Sequence, residues 1–281
     1  MRDDVKLTDI VMPGSHNSGC RKMIPLANCQ DGNLAEQFRF GVRFFDVRLN
    51  SRHITGTVVH SHSVINGRPF EEDLIELSKE LQKNEGEFCV FSIMEYGDEK
   101  FGPYTHKCIL DYKKTDELLE KYIHPSKYAL TNFDDINEVT IGDIRKSGKR
   151  FILINDKKKF AYSVSCPFDS PWSSERHGLA ADDFVREIPK VFDMYEKRGF
   201  FVLQTQQTAS PGSAVGLASP RKVNKNFRQH YHKIIDTVRD TPRYLDKVNI
   251  VLSDYMTEDT FKAEQIIGLN AVKGNFKDEI N

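Results

Sequence analysis

The chain has 281 residues, with 40 Lys and Arg against 41 Asp and Glu and a formal net charge of −1. That length suffices for one large α/β domain with a well-buried core, and the balanced charge excludes the basic excess of a nucleic-acid-binding face. The longest apolar stretches run four to six residues, too short to span a membrane.

Read in chain order, strand-like apolar runs occur at 9–12, 42–46, 57–59, 88–93, 150–154, 200–204 and 248–252, with a weaker eighth around 160–164. Helical spacing fills the intervals. Leu74, Leu77 and Leu81 share a face over 70–83, and Phe184, Ile188, Val191, Phe192 and Tyr195 share one over 181–198, where Pro189 predicts a kink. Further helices are expected over 220–239 and 260–272. Strands that alternate with helices and read as continuous apolar runs imply a parallel sheet covered on both faces. Seven or eight such units favour a closed barrel, and the turn Pro13-Gly14-Ser15-His16 is not the GxGxxG of a dinucleotide fold. No linker or repeat is visible, so residues 1–281 are expected to form a single domain.

The apolar runs end in polar, titratable residues. His16, Asp46, Arg48, His60, Glu95, Asn155, Asp156, Gln206 and Asp254 all fall at or just past strand ends, which share one face in a parallel barrel. Two histidines supply a base and an acid, and neighbouring carboxylates set their tautomers. Arg48 adds a planar cation suited to a phosphate. These are the parts for cleaving a phosphodiester without a metal, because a preorganised cation stabilises charge developing on the phosphate oxygens. His62 competes with His60 for the acid role. The five cysteines, Cys20, Cys29, Cys89, Cys108 and Cys166, lack CxxC spacing and read as buried free thiols.

The segments Pro13-Gly14-Ser15-His16-Asn17-Ser18, Gly41-Val42-Arg43-Phe44-Phe45-Asp46-Val47-Arg48, Val59-His60, Phe91-Ser92-Ile93 and Asn249-Ile250-Val251-Leu252-Ser253-Asp254-Tyr255 agree in order and spacing with one known family. From about Thr8 to about Lys273 the chain resembles the X domain of phosphatidylinositol-specific phospholipases C, of the bacterial, metal-independent type. The resemblance implies a distorted TIM-type (β/α) barrel. It also implies a reaction that releases diacylglycerol and a cyclic inositol phosphate. By position it makes His16 the general base, His60 the general acid, Asp254 the carboxylate on the first histidine and Asp46 the one assisting the second. Arg48 matches the arginine that replaces calcium in bacterial members.

Calcium is disfavoured locally as well, because Phe44 and Met94 stand where eukaryotic members place carboxylates, and a hard cation needs several oxygen ligands. No cofactor is therefore expected. Asn17, where bacterial members carry Asp, is a candidate substrate contact together with Glu95, Asp156 and Gln206. The family's inositol-binding lysine, arginine and Asp-x-Tyr have no clear counterparts, so the reaction type is better marked than the headgroup. Two other readings stay open. One is a catalytically weak lipid-binding or regulatory module. The other is a glycerophosphodiesterase, whose Glu-x-Asp metal pair is broken by Phe44. The expected partner is a phospholipid at a membrane surface, met by a monomer through the loop at 209–222, where Val215 and Leu217 precede Arg221 and Lys222. Met1-Arg2-Asp3-Asp4 is no signal core and the last residues no anchor, so the chain as written reads as cytoplasmic, or as secreted after removal of a leader.

Overall fold

The computed structural model describes residues 1–96, 99–101, 103–155, 157, 159–170, 181–194, 196–206, 219–228 and 231–277. Its strands are β1 (Met12–Ser15), β2 (Phe44–Ser51), β3 (Val58–His62), β4 (Ile65–Pro69), β5 (Cys89–Glu95), β6 (Glu99–Phe101), β7 (Tyr104–His106), β8 (Phe151–Ile154), β9 (Ser163–Val164), β10 (Phe168–Asp169), β11 (Phe200–Gln204) and β12 (Ile250–Ser253). Eight of them run in the order β10-β11-β12-β1-β2-β5-β8-β9, with every neighbouring pair parallel. The two ends of this path, β9 and β10, are consecutive in sequence, so the sheet curls most of the way round. This is the distorted α/β barrel that the resemblance implies; the alternation predicts the parallel sheet, but among the described residues β9 and β10 do not pair to close it.

Alternate residues of each strand face opposite sides. Met12, Phe44, Val90, Ile152, Ile154, Phe200, Val202, Ile250 and Leu252 form the inner cluster, while Phe45, Val47, Leu49, Phe91, Leu153, Phe201 and Val251 pack outward against the helices. The Phe44 ring stacks on Phe168 at 5.8 Å between centroids, joining strands far apart in the path. Gly14 makes room for this packing. A Cβ there would stand 2.9 Å from Ile250 Cγ2, 3.1 Å from Leu252 Cδ1 and 3.2 Å from Phe44 Cδ1. Gly14→Ala is expected to cost about 1–3 kcal/mol by overpacking, read as a lower midpoint in thermal denaturation. An unchanged midpoint would contradict the inner packing.

Helices Leu34–Arg39, Phe70–Lys83, Tyr112–Ile123, Pro125–Tyr128, Ile141–Ser147, Ala181–Met194, Pro220–Arg228, Tyr231–Arg239, Pro242–Lys247 and Phe261–Val272 surround the sheet. Helix Phe70–Lys83 has the expected bounds. It starts on Glu71, Glu72 and Asp73, whose charges suit the positive end of the helix dipole, and it buries Leu74, Leu77 and Leu81. Helix Ile141–Ser147 opens on a capping box from Thr140 to Asp143 and ends on Gly148 in the left-handed conformation. The single helix expected over 220–239 is two, Pro220–Arg228 and Tyr231–Arg239. No helix among the described residues is long and apolar enough to cross a membrane.

One strand departs from the expected layout in a way that matters for the site. The run ending at His60 is not a barrel strand. β3 pairs antiparallel with β2 and forms a hairpin with β4, off the parallel path. His60 lies opposite Leu49, an outward-facing residue, and meets the edge of the Phe70 ring at 5.4 Å. Beyond His60, β3 leaves the β2 ladder, and its pairing with β4 shifts register between Val59 and Ser61. The residue that emerges at its end is His62.

Candidate active site

The C-terminal ends of β1 and β12 and the middle of β2, which runs past the expected end at Asp46 to Ser51, bring the first group together. The parallel registers Gly14↔Phe44 and Gly14↔Leu252 set β1 between the other two, so His16, Asp46, Arg48 and Asp254 converge although up to 238 positions apart. Left-handed backbone follows two of these ends, at Asn17 (φ 44°) and Tyr255 (φ 51°), turning the chain sharply just after His16 and Asp254. Asn adopts that conformation readily. For Tyr it is strained, and burial of the Tyr255 side chain holds it in place.

His16 Nδ1 lies 2.8 Å from Asp254 Oδ1. Because an ionised carboxylate only accepts, this nitrogen carries the proton and Nε2 keeps its lone pair. The Asn17 amide nitrogen approaches Nε2 at 3.1 Å, consistent with that tautomer. Behind the pair, Gln30 Nε2 donates to the carbonyls of His16 (2.8 Å) and Ser253 (3.1 Å), while its Oε1 accepts from Met256 N at 3.0 Å. The buried Lys262 ammonium donates to the Asp254 carbonyl at 2.5 Å and to Asn224 Oδ1 at 2.7 Å. Burial lowers its pKa to about 8. Gln30 thus clamps the β1 and β12 loops together, and Lys262 steadies the second. Neither stands out as a strand-end residue, but Lys262 does fall on the buried stripe of its helix with Ile266 and Leu269, at spacings of four and three.

Arg48 forks onto Asp46, with Nε at 3.1 Å from Oδ1 and Nη2 at 2.9 Å from Oδ2. Asp46 Oδ2 also accepts from the Asn17 N–H at 3.1 Å. Burial alone would raise the Asp46 pKa, but Arg48 and then His16 outweigh it and hold the carboxyl below the usual carboxylate range. Asp46 therefore serves the arginine, and among the described residues it makes no hydrogen bond to either His60 or His62. Arg48 Nη1 has no hydrogen-bond partner among the described residues. The guanidinium lies 5.6 Å from the centroid of the Tyr96 ring.

His60 is not brought into this group. Its side chain is fully buried on the outer side of the sheet, where Nε2 stands 2.8 Å from Asp73 Oδ2. Asp73 Oδ1 in turn accepts from Arg21 Nη2 at 2.7 Å. Gly19 packs on the ring so tightly that a Cβ there would sit 1.8 Å from His60 Nδ1. His62 takes the place expected of His60. Its ring lies 6.3 Å from that of Tyr96, and it is close enough to feel His16, Arg48 and Asp254. Burial first, then the nearby His16 and Arg48, push its pKa down to about 4. The sign is testable. Histidine titration by NMR should show one ring that stays neutral until the pH approaches 4, and His62→Asn should remove that signal.

Glu95 also differs from expectation. Its carboxylate is held by Lys159 at 2.8 Å, Lys157 at 3.2 Å and the Tyr112 hydroxyl. Burial would raise its pKa, but these hydrogen bonds from Lys159, Tyr112 and Lys157 bring it down to about 2. It borders a cavity of about 170 Å³ with Ser92, Met94, Tyr112, Asn155 and Phe168. Gln206 lies past β11, where its amide nitrogen donates to Gln204 Oε1 at 2.5 Å and its own oxygen is buried. Asp156 and most of the 209–222 loop lie outside the described residues. For a calcium ion the second strand offers little, since Phe44 is committed to the inner core and Asp46 to Arg48. Among the described residues the group that could hold a metal is a different one, His16, Cys29 and Asp254, whose ligand atoms all lie within 4.8 Å of one another.

No protein-family model matches the chain, and no curated protein matches it. Solved structures do. The phosphatidylinositol-specific phospholipase C of Listeria monocytogenes superposes with a TM-score of 0.62 at 16% identity, over 96% of this chain and 96% of that one. The phosphatidylinositol-specific phospholipase C of Staphylococcus aureus, in a structure concerned with modulation of its membrane binding, gives 0.64 at 18% identity, over 95% and 94%. The chain has the phosphatidylinositol-specific phospholipase C fold. Its match extends over nearly the whole length of both phospholipase C structures, so the fold is shared from end to end.

Proposed function

We propose that the chain is a phosphodiesterase of the phospholipase C type, acting on phosphatidylinositol or a related inositol phospholipid. The observation that carries this reading is the pairing of His16 with Asp254 at 2.8 Å beside an arginine forked onto Asp46. A base with a fixed tautomer next to a preorganised cation suits in-line attack on phosphorus.

In this reading the phosphate sits against Arg48 Nη1. The inositol 2-hydroxyl attacks phosphorus, its proton passes to His16 Nε2, and Asp254 stabilises the imidazolium that forms. The bond from phosphorus to the diacylglycerol oxygen breaks, and His62 donates a proton to that oxygen. His62 is neutral at neutral pH in the free site, but the anionic phosphodiester offsets the charge of Arg48 and raises the His62 pKa on binding. The products are diacylglycerol and a cyclic inositol phosphate. Slow hydrolysis of the cyclic phosphate reverses the two histidine roles. The substrate contacts assigned here are Asn17, beside His16, and Gln206. Glu95, with its two lysines, borders the separate cavity lined by Ser92, Met94, Tyr112, Asn155 and Phe168.

The direct test is release of water-soluble inositol phosphate from phosphatidylinositol vesicles. Turnover is expected, and its absence with a panel of inositol lipids overturns the reading. Activity is expected to survive a calcium chelator, because Arg48 supplies the positive charge. Arg48→Lys is expected to lower turnover by about 10²-fold or more, the scale seen when one oxyanion donor is removed, since an ammonium cannot reproduce the fork onto Asp46 and reach phosphate as well. Loss of activity with chelator, restored by calcium, would show that a metal and not Arg48 carries the charge. Contact with the membrane is peripheral in this proposal, and the chain acts as a monomer.

A further inference from the structure

The reaction proposed above leaves Cys29 unused, although it lies against the base. Its thiol is buried, and its sulfur lies 3.6 Å from the Asn17 amide nitrogen that also approaches His16 Nε2. His16, Cys29 and Asp254 present one nitrogen, one sulfur and one oxygen ligand within a 4.8 Å span. That mixture is the donor set of zinc and of its spectroscopic substitute cobalt, and not of calcium or magnesium, which take oxygen ligands.

A second observation points to the same place. The Asn17 side-chain oxygen is buried and has no hydrogen-bond partner among the described residues. Asn17 Nδ2 faces His16 Nε2 and Cys29 Sγ, and half a turn of the amide when a cation displaces that contact brings the carbonyl oxygen beside both. An Asp at this position would bring a second full charge to the cluster, whereas Asn brings a neutral oxygen donor. The His16 side chain is 14% exposed, which leaves an entry path from the solvent side.

We propose that His16, Cys29 and Asp254, with the Asn17 carbonyl oxygen adjacent, form a binding site for a thiophilic divalent cation such as Zn²⁺, and that filling it switches the enzyme off. Binding forms a metal–sulfur bond and releases the thiol proton to solvent. The ion also takes a ring-nitrogen lone pair of His16, so the ring can no longer accept the proton of the attacking hydroxyl. The binding half stands on geometry alone. The inhibitory half rests on the proposed role of His16.

The two halves are tested separately. Titration of the intact protein with Co²⁺ is expected to produce a near-ultraviolet sulfur-to-cobalt charge-transfer band that Zn²⁺ abolishes by displacement. The band should be missing in both Cys29→Ser and Cys29→Ala, whose folding is checked by thermal denaturation. Absence of the band in the wild type, or its survival in folded Cys29 variants, overturns the site. In the turnover assay, Zn²⁺ should inhibit the wild type while Ca²⁺ and Mg²⁺ do not. Cys29→Ser should weaken that inhibition by at least about 10–100-fold, the loss that even an outer-shell partner of a metal causes. A cobalt band with no effect of Zn²⁺ on turnover overturns the switch and leaves the site. A cobalt band in a protein that turns over no inositol lipid leaves the site standing and counts against the proposed reaction.

Discussion

His16→Ala is expected to lower turnover of phosphatidylinositol by about 10²–10⁴-fold, the contribution of a positioned general base. Some loss of thermal stability is also expected, because the buried Asp254 carboxylate loses its His16 partner while Lys262 holds only its backbone carbonyl, so turnover is compared on folded protein. Asp254→Asn should also lower turnover, because an amide facing Nδ1 no longer selects the tautomer that leaves Nε2 free. Asp254 acts only through the ring in this scheme. The double variant His16→Ala with Asp254→Asn should therefore be no slower than His16→Ala alone, and additive losses would give Asp254 an independent role. Near-wild-type turnover by His16→Ala would remove the basis of the proposed reaction.

The second large effect separates the two histidines of β3. His62→Ala is expected to cost about 10²–10⁴-fold in turnover, as a general acid does, while leaving the melting temperature near that of the wild type. His60→Ala should do the reverse. Its fully buried ring fills space between Gly19, Phe70 and Asp73, and emptying such a space costs about 2–5 kcal/mol. The loss appears in denaturant unfolding, and protein that remains folded should keep most of its activity. If His60→Ala abolished turnover with unchanged stability and His62→Ala did not, the assignment made from position in the family would hold after all. The low pKa of His62 adds a sign to this test. In the free protein its protonated fraction falls as pH rises through about 4, and a bound phosphate anion moves that titration upward. A phosphate analogue that leaves the His62 titration where it was would argue against its contact with the leaving group.

Much of this arrangement was legible in the sequence. Runs such as 88–93, 150–154 and 200–204 are strands because apolar residues fill both faces, and β5, β8 and β11 occupy them nearly to the residue. His16, Asp46, Arg48 and Asp254 were identifiable because each follows or ends such a run, and parallel strands put all their C-terminal ends on one face. Other signals were present but weaker. The Thr140 to Asp143 capping box marks a short helix that hydrophobic spacing alone does not reveal, and Lys262 sits on an apolar stripe where a lone cation has to find partners.

Long-range pairing decided the rest. His60 and His62 are two apart, so strand periodicity places them on the same face and cannot choose between them. The choice comes from the antiparallel register of β3 on β2, which turns His60 outward against Leu49, and from the register shift with β4 that follows. Likewise Asp46 looks equally able to serve a histidine or Arg48 until the fold puts two of the three guanidinium nitrogens on its oxygens. Glu95 reads as a free strand-end carboxylate until Lys157 and Lys159, more than 60 positions away, arrive on it. Cys29 has no motif around it at all, and only the β1 and β12 loops, clamped by Gln30, bring it to His16 and Asp254. The sequence by itself determined the alternation of strands and helices and which residues stand at strand ends, because both follow from local periodicity. Which of those residues face one another was left to the curling of the sheet, because a charge or a lone pair responds to whatever lies within a few ångströms, however distant in the chain.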